Sequence, residues 1–231
     1  MSVGFRVTPA LGRKAEGRRL LDEIERRALV VHETSDAVLR SLQDAHAPQP
    51  VLAVVRREEI GLSRCLNADE PSRLLVVLHG IQDPGNLGAI LRSADAAGAG
   101  AALVSGETAD PYHPRSVRAS MGSIFRLPPV AADADSLPSA LRERGIRCIG
   151  TDPREGRAYS DVDLRGSVAL FLGRESRGLP PDLAQGLDLL VTIPMREGVE
   201  SLSVGAAAAV LLFEAARQRG PGRSGVTSTD G

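Results

Sequence analysis

Five short apolar runs, separated by stretches with helical patterning, constrain the fold more than any other feature of this sequence. They are LLVVLH at 74–79, AALVS at 101–105, IRCIGT at 146–151, VALFLG at 168–173 and LLVTIP at 189–194. Continuous apolar strands that alternate with helices are typical of a parallel sheet covered by helices on both faces. The sequence therefore predicts an α/β domain, with a further strand through Ile124 and Phe125 and a closing helix from Ser203 to Arg219.

The first 70 residues predict a smaller α/β region. RRLLDEIERRA has a helical apolar face, LVVHET is strand-like, and Ser35 or Asp36 can cap the helix SDAVLRSLQDA. The strand VLAVV follows at 51–55, and a polar run then predicts a linker. We expect an N-terminal domain over 1–70, a larger domain over 71–219 and a small, polar, disordered tail over 220–231.

Composition argues against several classes of protein. The chain has 231 residues, 42% of them hydrophobic, and a formal net charge of −1. No apolar run approaches the roughly 20 residues that span a bilayer, and the start lacks the apolar core of a signal peptide. Cys65 and Cys148 have no partner at metal-ligand spacing, and neither do the four histidines. A reduced, cytoplasmic protein without a metal or a membrane contact is expected.

The first of three glycine turns lies in LHGIQDPGNLGAILRSADAAGAG, where an apolar strand enters a Pro-Gly turn and a helix. Asn86 can cap this helix, and Arg92 lies off its buried face. Gly88 and Asp95 share the side of Arg92 and would offer a gap for a ligand and a carboxylate partner. An ordinary helix with a solvated arginine explains the same pattern.

The second and third turns are FLGRESRGL at 171–179 and IPMREGVESLSVGAAAAVLL at 193–212. Glu175 follows the carboxyl end of a strand, where ligands of open α/β sheets bind. The GxGxxG fingerprint of dinucleotide-binding folds is absent. Ser201–Ser203 stand at a helix start, whose N–H groups are available to a ligand, although simple caps on a core helix fit equally well.

Taken in order, DPGNLGAILRSADAAG, FLGRESRGL and IPMREGVESLSV resemble the three signature motifs of the SpoU family of RNA ribose 2′-O-methyltransferases, within the SPOUT superfamily. The resemblance covers about residues 74–219. It implies a parallel sheet covered by helices with a C-terminal deep trefoil knot, S-adenosylmethionine (AdoMet) as cofactor, and a homodimer. Residues 32–55 resemble the last part of an L30e-like RNA-binding domain, but too few residues precede them for a complete one.

Motif matching assigns the site residues. The catalytic positions would be Asn86, Arg92, Glu175, Ser201 and Ser203, and the cofactor would lie against Leu172, Gly173, Gly178, Ile193, Met195 and Leu202. Because a guanidinium keeps its proton near neutral pH, Arg92 is better suited to fixing a phosphate and stabilising a developing alkoxide than to acting as a base. Glu175 would orient it. The family usually has Asn where this chain has Ser203.

The L30e-like segment favours ribosomal RNA over tRNA as the substrate. With four Phe, two Tyr and no Trp, RNA contact must rest mainly on arginine. The N-terminal candidates are Arg6, Arg13, Lys14, Arg18 and Arg19, which could equally form a solvated basic arm. Three alternatives stay open: a tRNA enzyme, a non-catalytic RNA-binding relative suggested by Ser203, and a methyltransferase for small molecules or proteins. An antibiotic-resistance role is also undecided.

Overall fold

Ten strands and nine helices make up the part of the chain that the structure describes. The structure, a computed structural model, describes residues 3–43, 49–57, 59–66, 73–174, 177–199 and 201–220. Its strands are β1 (Val3–Val7), β2 (Val30–Glu33), β3 (Val51–Val55), β4 (Leu74–His79), β5 (Ala101–Ser105), β6 (Pro129–Ala131), β7 (Arg147–Thr151), β8 (Arg157–Ala158), β9 (Val168–Leu172) and β10 (Leu189–Thr192). Its helices are α1 (Ala15–Arg26), α2 (Asp36–Ser41), α3 (Leu62–Leu66), α4 (Pro84–Ala96), α5 (Pro114–Ala119), α6 (Ser123–Arg126), α7 (Leu137–Arg142), α8 (Pro181–Gln185) and α9 (Val204–Arg219).

The chain divides into two compact units, Met1–Glu59 and Ile60–Gly231. The smaller unit contains a three-stranded sheet in the order β2-β1-β3, in which β1 is parallel to β2 and antiparallel to β3.

The helices and strands predicted between residues 18 and 55 are present, but the sequence analysis did not predict β1. Arg6 lies in this strand, and Arg18 bonds to the Gly12 and Arg13 carbonyls from α1. Arg13, Lys14, Arg18 and Arg19 are all exposed, so both readings of these basic residues, an RNA contact and a solvated surface, stay predictions. The finer domain limits and the L30e-like assignment stay predictions.

The larger unit is built on a seven-stranded sheet in the order β6-β5-β4-β9-β7-β10-β8. Every neighbouring pair is parallel, so the predicted parallel α/β architecture is confirmed. All six residues of β4 and all five of β9 are buried, as expected for central strands covered on both faces. Since β9 lies between β4 and β7, the chain must pass back across β7 to reach β10. Such a crossing agrees with the knotted C-terminal segment that the resemblance implies.

Side chains of β4 alternate between two apolar cores. Leu74, Val76 and Leu78 pack in one core with α4 and α9, and Leu75 and Val77 pack in the other. Because all seven strands are parallel, their carboxyl ends meet at one edge of the sheet. The loops after β7, β9 and β10 therefore come together there.

One element differs from the sequence-based expectation within this unit. Ile124 and Phe125, predicted as strand, lie in the short helix α6. Gly122, with φ of +87°, turns the chain into this helix. The helix ends at Arg126, because Leu127 stands before Pro128 and a residue before proline disfavours helical backbone. The strand β6 begins only at Pro129.

Candidate functional site

The loop after β9 is closed on itself by backbone hydrogen bonds. The Arg174 N–H donates to the Gly178 carbonyl at 3.0 Å, and the Gly178 N–H donates back to the Arg174 carbonyl at 2.9 Å. Gly178 has φ of +64°, and a Cβ at Gly173 would lie 2.2 Å from the Gly178 carbonyl carbon. The loop can close only because both positions are glycine. Glu175 falls in this loop but outside the described residues, so its predicted role stays untested.

The segment after β10 leads into the closing helix. Ile193 and Met195 lie in irregular backbone after Thr192, the last residue of β10. Ser203 is the N-cap of α9, and its Oγ accepts a hydrogen bond from the Ala206 N–H at 3.2 Å. The helix predicted from Ser203 is thus confirmed, and Ser203 serves in part as its cap.

A cavity of about 430 Å³ lies between these loops. Its lining residues are Thr151, Asp152, Pro153, Arg154, Leu172, Gly173, Arg174, Arg177, Gly178, Val191, Ile193, Met195, Ser201, Leu202, Val204, Ala207 and Leu211. All six predicted cofactor residues are among them, as is Ser201. Thr151, the last residue of β7, and the three residues that follow it were missed. The polar pair Thr151-Asp152 at the end of a predicted strand was a signal that could have revealed these two residues, although not Arg154.

The first motif lies beside the start of α9, and none of its residues lines the cavity. Asn86 is half-buried in the first turn of α4, and a Cβ at Gly205 of α9 would lie 3.5 Å from its Oδ1. The predicted capping by Asn86 is wrong. Asp83 is the N-cap: its Oδ2 accepts from the Asn86 N–H at 2.8 Å, and its Oδ1 accepts from Arg115 of α5 at 3.2 Å.

Arg92 lies on the exposed side of α4. Its side chain makes no hydrogen bond or ion pair with any described residue, and it does not line the cavity. The expected partner Asp95 instead accepts from Arg126 at 2.8 Å. The expected gap at Gly88 is filled, since a Cβ there would lie 2.3 Å from the Ser116 carbonyl oxygen of α5. The guanidinium of Arg92 thus faces solvent.

A second group of polar side chains stands at the carboxyl ends of β4 and β5. His79 is buried and its Nδ1 lies 3.1 Å from Ser105 Oγ. Burial lowers the pKa of His79, and the charge of Arg174 lowers it further. Arg174 also pairs with Glu107 at 2.8 Å, and its Nε would lie 2.7 Å from a Cβ at Gly80. The Arg174 side chain therefore ties the loop after β9 to the turns after β4 and β5.

The cavity fits AdoMet in size and chemistry. Its volume lies within the roughly 300–1,000 Å³ of sites for small ligands. Leu172, Val191, Val204 and Leu211 supply an apolar lining, and Asp152 and the backbone of the glycine loop supply polar groups. Among the described residues, no cluster of His, Cys, Asp or Glu could hold a metal ion, and no helix is long and apolar enough to cross a membrane.

Comparison with known proteins agrees with this architecture. Residues 73–213 match the model of the SpoU rRNA Methylase family. The 23S rRNA (guanosine-2′-O-)-methyltransferase RlmB of Bordetella pertussis is 35% identical over 202 residues, which are 86% of this chain and 82% of that protein. The 23S rRNA (guanosine(2553)-2′-O)-methyltransferase RlmP of Bacillus subtilis is 31% identical over 78% of this chain and 69% of its own.

A solved structure extends the similarity to the whole fold. The SpoU methyltransferase AviRb from Streptomyces viridochromogenes, in complex with the cofactor AdoMet, superposes with a TM-score of 0.80 and 31% identity, covering 94% of this chain and 82% of that one. The family match spans more than half of the residues, and the relatives align along most of their length. The resemblance of the three motifs is confirmed: the chain belongs to the SpoU rRNA methylase family.

Proposed function

We propose that this protein transfers a methyl group from AdoMet to a ribose 2′-hydroxyl of ribosomal RNA. The observation that carries the proposal is the cavity at the carboxyl edge of the sheet, which gathers all six predicted cofactor residues from two separate motifs. Family membership and the rRNA activity in the names of the two relatives support the choice of reaction and substrate.

Residues of both glycine loops would hold the cofactor. Leu172, Gly173 and Gly178 would contact it from the loop after β9, and Ile193, Met195 and Leu202 from the segment before α9. When bound, AdoMet supplies a methyl group already activated by its sulfonium. The protein then has two tasks, to place the ribose hydroxyl in line with that methyl and to manage the proton of the hydroxyl.

Arg92 is proposed as the group that meets the RNA. Its exposed guanidinium is not engaged by any described carboxylate, so it is available to a phosphate next to the target ribose and to the oxygen that becomes negative during transfer. Glu175 would orient it. Asn86, close to the start of α9, and Ser201, on the cavity wall, would position the reacting groups.

The test uses labelled AdoMet, purified ribosomal RNA and bulk tRNA. We expect label in rRNA with the wild-type protein and no transfer with Arg92→Ala, whereas calorimetry should show AdoMet binding within about twofold of wild type, since Arg92 does not line the cavity. Arg144→Ala, which changes an exposed arginine two residues after α7, is the control and should stay active.

Other outcomes separate the alternatives. Label in tRNA alone would make this a tRNA enzyme, and label in an RNase-resistant product would point to another substrate. AdoMet or RNA binding without any transfer would support a non-catalytic relative. Weakened AdoMet binding by Arg92→Ala would contradict the division of roles.

We further propose a cytoplasmic homodimer. Both described cysteines are free thiols, which suits a reducing compartment. The outward side of α9 repeats apolar residues at helical spacing, namely Ala206, Val210 and Phe213, and Phe213 is 52% exposed. A second copy that covers this face would remove it from water.

A further inference from the structure

The mouth of the cavity is rich in arginine. Arg154 comes from the loop after β7, and Arg174 and Arg177 come from the loop after β9. Arg174 is engaged by Glu107. Arg154 and Arg177 are exposed, and neither side chain forms a hydrogen bond or ion pair with a described residue. Two guanidinium groups at the same opening are thus available to a ligand.

The acidic residue in the described cavity lining is bonded to the backbone rather than to either guanidinium. Asp152 is the only acidic residue among the described lining residues. Its Oδ1 accepts hydrogen bonds from the backbone N–H groups of Arg154 at 2.8 Å and of Glu155 at 2.9 Å. This carboxylate therefore holds the backbone of the loop that carries Arg154.

The cofactor does not account for this positive charge. AdoMet has a sulfonium, an ammonium and one carboxylate, so it is itself a cation at neutral pH. Cations repel one another most strongly where water is partly excluded. A rim with two guanidinium groups that no described residue pairs with favours an anion that arrives from outside the cavity. RNA brings one phosphate for every nucleotide, and the planar guanidinium matches phosphate oxygens with two parallel hydrogen bonds.

We propose that Arg154 and Arg177 bind phosphates of the RNA strand that flank the target ribose, so that the cofactor cavity carries its own RNA-docking rim. The inference rests on the proposed function and adds to it a contact separate from Arg92. These two arginines are positioning residues: they hold the strand at the mouth while other groups act on the hydroxyl.

The experiment compares Arg154→Ala, Arg177→Ala and the double variant with wild type and with Arg144→Ala. Binding of labelled ribosomal RNA is measured by filter retention at several salt concentrations, and AdoMet binding is measured by calorimetry. We expect each single change to weaken RNA binding about 3- to 10-fold and to reduce the salt slope by about 0.7 for each phosphate that the variant no longer binds. The double variant should show about twice that reduction in slope, with AdoMet affinity within about twofold of wild type.

Conservative variants give a second measurement. Arg154→Lys and Arg177→Lys keep the charge and lose the planar fork, so they should restore the salt slope and only part of the affinity. Because both side chains are exposed and unpaired among the described residues, melting temperatures should not change.

Two results would overturn the inference. RNA affinity and salt slope equal to wild type would show that the rim does not touch RNA. A fall in AdoMet affinity would assign the arginines to the cofactor carboxylate instead. The binding measurement does not depend on turnover. A wild-type protein that binds RNA through these arginines but transfers no methyl would therefore overturn the proposed function alone.

Discussion

At the residue scale, the loop after β9 can close only because Gly173 has no side chain. A Cβ there would lie 2.2 Å from the carbonyl carbon and 2.4 Å from the carbonyl oxygen of Gly178. No movement of a flexible side chain relieves this clash, because all the atoms belong to the backbone. The two hydrogen bonds between Arg174 and Gly178 would have to open.

We therefore expect Gly173→Ala to displace the loop that lines the cavity. AdoMet affinity should fall at least about tenfold, and the free energy of unfolding should fall by about 1–3 kcal/mol, as for other overpacked sites. Calorimetry and urea unfolding measure the two effects. Gly166→Ala is the control, since nothing lies within 4 Å of a Cβ at that position. Wild-type affinity in Gly173→Ala would show that this loop does not hold the cofactor.

The sequence singled out residues of the cavity lining in the second and third glycine motifs but not in the loop after β7. Gly173 and Ile193 could be singled out as strand ends beside glycine turns, and the resemblance to the family's motifs assigned them to the cofactor. Arg154 could not, because its place at the same cavity depends on β7 lying between β9 and β10, which no local pattern encodes. Arg92 was identified from the motif, but its freedom from Asp95 depends on Arg126, 31 positions further on.

At the scale of elements, α4 packs so closely on α5 that the contact position on α4 has no room for a side chain. Gly88 of α4 lies against the Ser116 carbonyl of α5, and a Cβ there would be 2.3 Å from that oxygen. Asp83 and Arg115 add a hydrogen bond between the starts of the same two helices. This packing holds the helix that carries Arg92.

Replacing Gly88 with alanine tests the packing of α4 on α5. In an exposed helix the change stabilises by about 1 kcal/mol, but here we expect a loss of about 1–3 kcal/mol because the helices must separate. Gly205→Ala in α9 is the matched comparison, since the nearest atom to its Cβ would be 3.5 Å away, and it should be neutral or stabilising. Unfolding in urea gives both values, and equal effects at the two sites would contradict the packing argument.

The elements that sequence patterns missed share a physical reason. β1 reads VGFRV, in which Gly4 and Arg6 interrupt the apolar character of a strand. Its pairing with β2 and β3 on either side stabilises it nonetheless. α6 carries residues that suit a strand, but the left-handed turn at Gly122 and the proline after Leu127 leave room for only one helical turn. Tertiary context overrides local propensity in both places.

At the scale of the whole molecule, stability should depend on pH through His79. Its folded-state pKa lies below the unfolded value of about 6.5, since burial and Arg174 disfavour its charged form. The unfolded chain therefore takes up the proton first, and the stabilising contribution is complete above pH 6.5 and is lost as pH falls. Asp163 and Glu214, with pKa values lowered to about 2 by arginine partners, titrate in a more acidic range.

We expect the free energy of unfolding to decrease between pH 7 and pH 5 in the wild type and to vary less in His79→Asn. Asparagine can keep a hydrogen bond to Ser105, although the smaller side chain should lower stability at pH 7. The measurement is urea unfolding at several pH values. His32→Asn on the exposed strand β2 is the control. Equal slopes in wild type and His79→Asn would assign the pH dependence to other groups.

Assembly is the second property of the whole molecule open to test. If α9 forms the interface, Phe213→Glu places a charge in it and should convert dimer to monomer. Light scattering at several protein concentrations gives the mass. Val38→Glu, which alters an apolar residue that is 49% exposed on α2, should leave the mass unchanged. A monomeric wild-type protein would end the dimer proposal.

The strand order has a last consequence, for the folding pathway. The cavity draws its walls from residues between Thr151 and Leu211, and the strands that carry them are neighbours in an order that differs from their order along the chain. Pairings of this kind close long loops and form late. A chain in which these pairings have not yet formed therefore lacks the cavity. A cofactor that binds only the finished cavity stabilises the folded state by mass action. The stabilisation is about 2.7 kcal/mol when the cofactor concentration is a hundred times its dissociation constant. The supply of cofactor therefore helps to determine what fraction of the protein is folded.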